Sequence, residues 1–332
     1  MLLSVTMGWL RRHRTLIALL AGVPVLMLVG LGATGYAMMR HFNNNIEQAN
    51  ITALIGPQPA DLHPQAENIL FIGTHIGTDG ETGLQRYQSG TLILLHVAAN
   101  RKWASVIGFP PDSTVHIPSC TMSDGLPSLP TEATINDAFA IGSLHGDKHA
   151  YGAACAVKTI EADTGLNVNH FIVFDGNSFR SMVAALGGLH IYLPTAFSDP
   201  QNEVYLPAGH DVLTPTEATD YVRYLSGSAV RDDDRLARQL AFAAALGDQV
   251  KSEFMNPMAI YRFLDAFTRS LTIDSQFGGV TGLYDLWQTV KGVPSGSTSV
   301  FALPTYQSGG VQLWSQPEDD RIFAALRNDV RV

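Results

Sequence analysis

The chain has 332 residues, 46% of them hydrophobic and 15% charged, which is a globular composition with room for an anchor segment and one or two domains with a real core. Its formal net charge of -9 excludes a nucleic-acid surface as its main business, because phosphate binding calls for an excess of Lys and Arg on some face. The sequence carries no helix-turn-helix, zinc-finger or RNA-binding signature, no internal repeat and no low-complexity tract.

The N-terminus opens with "WLRRHR", in which Arg11, Arg12 and Arg14 precede the uncharged run 15–39, "TLIALLAGVPVLMLVGLGATGYAMM". Crossing a bilayer takes about 20 apolar residues, and a signal-peptide core only about 7–15. The run is therefore expected to be a transmembrane helix over 15–39. Residues 1–14 stay in the cytoplasm by the positive-inside rule, and everything beyond lies outside the cell membrane. A cleaved signal is the alternative, with Gly35-Tyr36-Ala37 as a poor cleavage site. Residues 40–66 are polar and punctuated by Pro57, Pro59 and Pro64, and read as a stalk with little core of its own.

The folded domain is expected over 67–328. "NILFIG" (68–73), "TLILLHVA" (91–98) and "WASVIGF" (103–109) read as strands, the last two joined by a turn at Ala99-Asn100-Arg101. Next come a helix over Tyr151–Thr164, strand "HFIVF" (170–174), helix 177–188 and strand "LHIYLP" (189–194). Alternation of strands and helices predicts an α/β domain. At 214–225, Thr214 and Glu217 form a capping box with Pro215 at the first helical position. A long helix is predicted over 232–250, with Asp232 and Asp233 at its positive end. The remainder is expected to hold a helix pair and strand "SVFALP" (299–304). Two cysteines occur, Cys120 and Cys155; outside the membrane they read as one disulfide, the alternative being two unpaired buried thiols.

Several stretches could carry chemistry. "GTHIGTDGETG" (73–83) is glycine-rich after a strand, but lacks the Lys-Ser/Thr of a phosphate-binding P-loop and reads as a mobile loop. His145, Asp147 and His149 alternate in a polar loop, and reading them as surface residues outweighs reading them as metal ligands. The sharper feature is 221–239, "YVRYLSGSAVRDDDRLARQ", which holds Arg223, Arg231, Arg235 and Arg238 in an otherwise acidic chain. On a helix Arg235 and Arg238 share a face, and Gln239 lies one turn after Arg235. Arginine forks match phosphate and pyrophosphate oxygens, so this segment is the expected anion site; a solvated face paired with Asp232–Asp234 is the alternative.

The order of these segments resembles the LytR-CpsA-Psr (LCP) family. The resemblance rests on "NILFIG", "SGTLILLHV", "SVIGFPPDSTVHIP", "INDAFAIG", the block "HFIVFD…F…VAALGG", and the block "LPAG…L…EA..YVR…D..R..RQ". It covers roughly 66–252 and continues more weakly to about 328. It implies a single-pass protein with an extracytoplasmic α/β/α sandwich built on a mixed sheet. It implies a slot for a polyprenyl chain, with arginines and Mg²⁺ holding a pyrophosphate at its mouth. It further implies transfer of a glycopolymer from its polyprenyl-pyrophosphate carrier to peptidoglycan, with no nucleic-acid partner. The older label of transcriptional regulator for such proteins fits neither the placement nor the charge.

Matched to the family pattern, Asp232, Arg235 and Arg238 take the catalytic positions, and Arg223, Gln239, Arg86 and Asp112 bind substrate. Four positions depart from it. Pro111 stands where the family carries an arginine, His75 and Gly90 where it carries metal-associated aspartates, and Leu225 in place of a second arginine. Proline offers neither charge nor donor. These losses put Mg²⁺ and catalysis in doubt and leave the metal ligands unassigned, with Asp79 and Glu81 as substitutes suggested by proximity. Three readings follow: a working transferase with rearranged groups, a lipid or glycopolymer binder without turnover, or an interaction domain whose slot has closed.

Overall fold

The structure, a computed structural model, describes residues 33–78, 85–146, 149–200, 203–223, 232–252, 256–294 and 296–332. The chain divides into Met1–Asn44 and a compact unit, Asn45–Val332. Residues 33–45 are helical, and among the described residues no helix is long and apolar enough to cross a membrane. Most of the expected span, 15–32 of 15–39, lies outside the described residues.

The compact unit is built on a seven-stranded mixed sheet. Its strands are β1 (Glu47–Ala49), β2 (Glu67–Thr78), β3 (Gln85–Val97), β4 (Ala104–Phe109), β7 (His170–Asp175), β12 (Leu271–Asp274) and β13 (Thr298–Ala302), in the order β1-β12-β7-β2-β3-β4-β13. β2 runs antiparallel to β3 and parallel to β7. Side chains of a strand alternate between faces, and the apolar runs of β2 and β3 place residues on both. Leu70, Ile72, Leu92 and Leu94 pack into one core, together with Ile107 of β4. That core is closed by α2 (Asp137–Gly142), α3 (His149–Thr164) and α9 (Glu318–Arg327). Ile69, Leu95 and Ile172 face the other way, onto α7 (Pro257–Arg269) and α8 (Val280–Gly292). The expected α/β/α layering is present.

The segment read as a stalk joins this unit. β1 adds to the sheet edge beside β12, α1 (Thr52–Ile55) follows, and Ile46, Ala49, Ile51 and Ile55 are buried. A three-residue strand and a one-turn helix leave no periodic pattern among prolines, so the composition alone pointed to a linker. Among its described residues, the C-terminal third likewise holds three α-helices, α7 to α9, where a pair was expected, and the unpredicted four-residue strand β12.

A smaller second core sits on α4 (Gly176–Ala185), α5 (Pro215–Arg223) and α6 (Asp232–Ser252). It contains β8 (Leu189–Leu193), β9 (Phe197–Asp199), β10 (Val204–Leu206) and β11 (Gly209–Leu213), with β8 paired to β11 and β9 to β10. The capping box of α5 forms as expected: the Thr214 amide donates to Glu217 Oε2 at 2.8 Å, and the Glu217 amide to Thr214 Oγ1 at 3.3 Å.

Cys120 and Cys155 are bridged, with Cα atoms 5.4 Å apart. The bond ties the loop after β5 (Thr114–Ile117) to the middle of α3. It closes the chain across 35 residues, so replacing both cysteines by alanine is expected to lower unfolding stability by about 3–4 kcal/mol in denaturant melts. Asp163, near the end of α3, interacts with His116 of β5 and Glu132 of β6 (Thr131–Thr134). Burial pushes its carboxyl up to about 7; the His116 charge opposes the rise and Glu132 adds to it. The folded chain therefore holds this proton from the ordinary value of 3.8 up to about 7, where the unfolded chain has lost it. Stability contributed by Asp163 falls across that window as pH rises. Asp163→Asn is expected to raise Tm at pH 8 and to leave it little changed at pH 4; an equal gain at both would contradict this origin.

Candidate functional site: an apolar slot with a polar mouth

In an open sheet, ligands gather at the carboxyl ends of strands that run parallel as neighbours. β2 and β7 are such a pair, with Ile69 opposite His170 and Thr74 opposite Asp175. The ladder between β2 and β3 shifts register between Gly73 and Thr74, which re-aims the residues that follow. α4 starts immediately after β7. A Cβ on Gly176 would lie 2.5 Å from the carbonyl oxygen of Thr74, so only glycine lets the β7–α4 turn rest on the end of β2.

Between this strand end and the helices lies a cavity of about 330 Å³. Its floor is Phe71, Ile93 and Phe174 of the sheet, and its walls come from α4, α5, α6 and α7. Gln239, Phe242, Ala243 and Leu246 of α6 follow one another at helical spacing and face it. Its wall rings pack in pairs, Phe179 with Phe242 at 4.7 Å and Phe174 with Phe267 at 5.5 Å between centroids. The slot is open, so bulky side chains have not closed it.

Most of the polar lining comes from the strand ends, Thr74 and His75 of β2, Asp175 of β7, and Gly90 and Thr91 opposite on β3, joined by Gln239 of α6; Thr219 of α5 adds a hydroxyl. The Gln239 Nε2 donates to Thr91 Oγ1 at 2.8 Å, tying α6 to β3. A cavity of about 20 Å³ continues past Gly90 and Gln239 to Pro110, Pro111 and Leu236. Pro111 is buried there, while Asp112, beside it in the turn, is exposed. The Pro-Pro break that ends β4 thus puts an apolar wall against the mouth.

Of the sequence-predicted residues, Gln239 reaches the slot. The Arg238 guanidinium lies 5.9 Å from the ring of Phe197 in the second core, and does not line the slot. Its charge also acts on Tyr221, whose phenol is pushed up by burial and drawn back by Arg238. The side chains of Arg86, Arg223, Asp232 and Arg235 lie outside the described residues, as do Asp79, Glu81, Asp147, Leu225 and Arg231. His145 and His149 do not converge. His145 Nε2 is 4.0 Å from Asp124, whereas His149 Nδ1 is 3.1 Å from Thr272 Oγ1 in the sheet.

Among the described residues no three His, Cys, Asp or Glu side chains converge as a metal cage. The mouth itself offers one carboxylate, Asp175, one imidazole, His75, and the hydroxyls of Thr74 and Thr91. That donor set fits a divalent ion that takes its other ligands from phosphate and water, not one enclosed by protein. Asp175 was missed by sequence reasoning. The available signal was its place at the end of a predicted buried strand, directly before a glycine that begins a helix.

The LytR_cpsA_psr family model matches residues 34–327. The probable cell wall biosynthesis protein LcpB of Corynebacterium glutamicum is 24% identical over 255 residues, 76% of this chain and 56% of that protein. A Bacillus subtilis protein named polyisoprenyl-teichoic acid–peptidoglycan teichoic acid transferase TagV is 24% identical over 247 residues, 71% of this chain and 58% of that one. The chain thus spans little more than half the length of these relatives. Two solved structures share the fold. The LytR-Csp2A-Psr enzyme from Actinomyces oris gives a TM-score of 0.56 at 19% identity, covering 85% of this chain and 96% of the other. TagT bound to LI-WTA gives 0.55 at 21% identity, covering 86% and 99%. With the family pattern running through both the sheet and the slot helices, the chain belongs to the LytR-CpsA-Psr family.

Proposed function

We propose that this protein transfers a glycopolymer from a polyprenyl-pyrophosphate carrier to peptidoglycan, outside a membrane that its N-terminal run of 15–39 crosses. The observation that carries this reading is the open slot of about 330 Å³, apolar in its depth, with most of its polar lining at the strand ends. A site of this size and lining suits a lipid chain whose charged head stays at the rim. Most of a long polyprenyl tail would extend beyond it.

In the reaction, an acceptor hydroxyl attacks the sugar-linked phosphorus. The bond from that phosphorus to the bridging oxygen breaks, polyprenyl phosphate leaves, and the hydroxyl proton passes to a base. Charge neutralisation at the phosphates matters more here than a covalent nucleophile. Arg223 and Arg235 are the proposed cations, and Arg235 stands one turn before Gln239 on α6; Arg238, expected from its spacing to join them, is turned to Phe197 and away from the slot. Asp232, at the start of α6, is the proposed acid–base partner. Gln239 orients the head group from its bond to Thr91, and Arg86 and Asp112 are proposed contacts for the polymer side. A divalent ion, Mg²⁺ in the family, would add positive charge beside the phosphates when bound; Asp175 and His75, which line the same cavity, are the proposed residues to hold it.

A second reading has a specific observation behind it. Pro111 is buried against the mouth where the family pattern has an arginine, so one phosphate contact is missing and the protein could bind lipid without turnover. One experiment separates the two. The full chain in detergent, given a lipid-pyrophosphate-linked sugar with Mg²⁺ or Mn²⁺, is expected to release polyprenyl phosphate, and Arg235→Ala to abolish the release. Lipid retained with no release would establish the binder. Ile93→Trp, which adds an indole to the slot floor, is expected to weaken lipid binding at least about tenfold with Tm unchanged. Unaltered affinity in that variant would remove the slot from the argument. Gln239→Ala is expected to lower the release rate while leaving lipid binding within a few-fold.

A further inference from the structure

We infer that the groove between the outer face of the β8–β11 ladder and α6 is a second binding site, one that takes uncharged pyranose residues of a glycan. It lies outside the slot, shares none of its lining residues and does not depend on the transfer proposed above.

Side chains of β8 alternate between two faces. Leu189, Ile191 and Leu193 are buried in the second core, while His190 and Tyr192 are exposed on the other side. The antiparallel register sets His210 of β11 opposite Tyr192, and the two rings lie 5.1 Å apart between centroids. Tyr192 is 59% exposed, so the pair forms an aromatic platform open to solvent. α6 is the facing wall, with Ala241, Ala245, Asp248 and Ser252 at helical spacing. At 100° per residue this face of α6 points about 140° away from the one that lines the slot. The two alanines leave room for a groove of about 460 Å³. Its walls are pinned to each other by buried Gln249, whose side chain accepts from the His190 amide at 2.8 Å and donates to the Gly188 carbonyl at 2.9 Å.

The lining decides the ligand. An exposed aromatic ring offers its negative π face to the weakly positive C–H face of a sugar ring. Asp248 accepts from sugar hydroxyls with charge assistance, and His190 and Ser252 add further hydrogen-bonding groups around the platform. Aromatic surface with a few placed polar groups is how small-ligand sites are lined, and the volume falls within their range. A lipid chain would bury these polar groups without partners. A phosphate would meet the Asp248 carboxylate, and among the described lining residues there is no Lys or Arg to offset its charge. An uncharged glycan meets both constraints. Two sources carry that chemistry, the amino-sugar backbone of peptidoglycan and a neutral glycopolymer.

The test uses the full chain in detergent with two fluorescently labelled probes, read by anisotropy: chitotetraose for an amino-sugar backbone and maltotetraose for a neutral hexose polymer. At least one is expected to bind saturably, and the tighter of the two identifies the source. Tyr192→Ala is expected to weaken that binding at least about tenfold with Tm unchanged, because the ring is exposed. Tyr192→Phe, which keeps the ring, is expected to bind within a few-fold of the wild type. Poly(glycerol phosphate) is expected not to compete. Absence of saturable binding of either tetrasaccharide, wild-type affinity in Tyr192→Ala, or displacement by poly(glycerol phosphate) would each overturn the glycan site. Release of polyprenyl phosphate by the same preparation would then leave the proposed function standing. Saturable glycan binding without that release would support the groove and overturn the transferase reading alone.

Discussion

The parallel pairing of β2 with β7 is the constraint on which the rest of the structure depends. It joins residues about a hundred positions apart and brings their carboxyl ends to one level, with Thr74 beside Asp175. Parallel strands need a crossover, and here the crossing chain includes α2 and α3, which cover one face of the sheet. The other face is left for α4, which springs from β7 at that same level, and for the helices that pack on it. Gly176 lets the turn close without a gap. The slot lies where these elements diverge.

An apolar slot open to solvent works against the tendency of a core to close-pack. Two independently packed cores hold its walls apart. The sheet core behind the floor is tied by the Cys120–Cys155 bridge and by the dense small-residue face of α3. The second core, around Leu189, Ile191 and Tyr221, anchors the other side of α5 and α6. Gln239 spans the two through its bond to Thr91, so the mouth is braced by a polar contact that leaves the apolar depth open. Arg238, the next residue along, turns its guanidinium to Phe197 of the second core. Two adjacent residues on one helix thus serve different walls, as the 100° step between helical neighbours requires.

Much of the layered fold was legible because its elements obey simple periods. The runs of β2, β3 and β7 are apolar on both faces, the mark of buried central strands, and the capping box of α5 forms between the residues its spacing named. The disulfide followed from having two cysteines in a segment read as lying outside a membrane. What was illegible was short or peripheral. β1 and β12 are three and four residues long, and their pairing with each other, 47 with 272, leaves no local trace. His145 and His149, read as surface residues, looked alike in sequence, yet the sheet takes His149 for Thr272 and leaves His145 near Asp124.

The sequence by itself determined the layer architecture and the family, since these depend on apolar period, cap chemistry and motif order along the chain. It also named the positions where two of the family's acids and two of its arginines are absent. Only the tertiary structure decided that the slot is open, that Pro111 walls the mouth, and that Asp175 and His75 line one cavity. The reason is that each of these is a contact between distant segments. Spacing along a chain specifies which face of an element a residue occupies, while the pairing of β2 with β7 and the packing of α6 across them specify what that face meets.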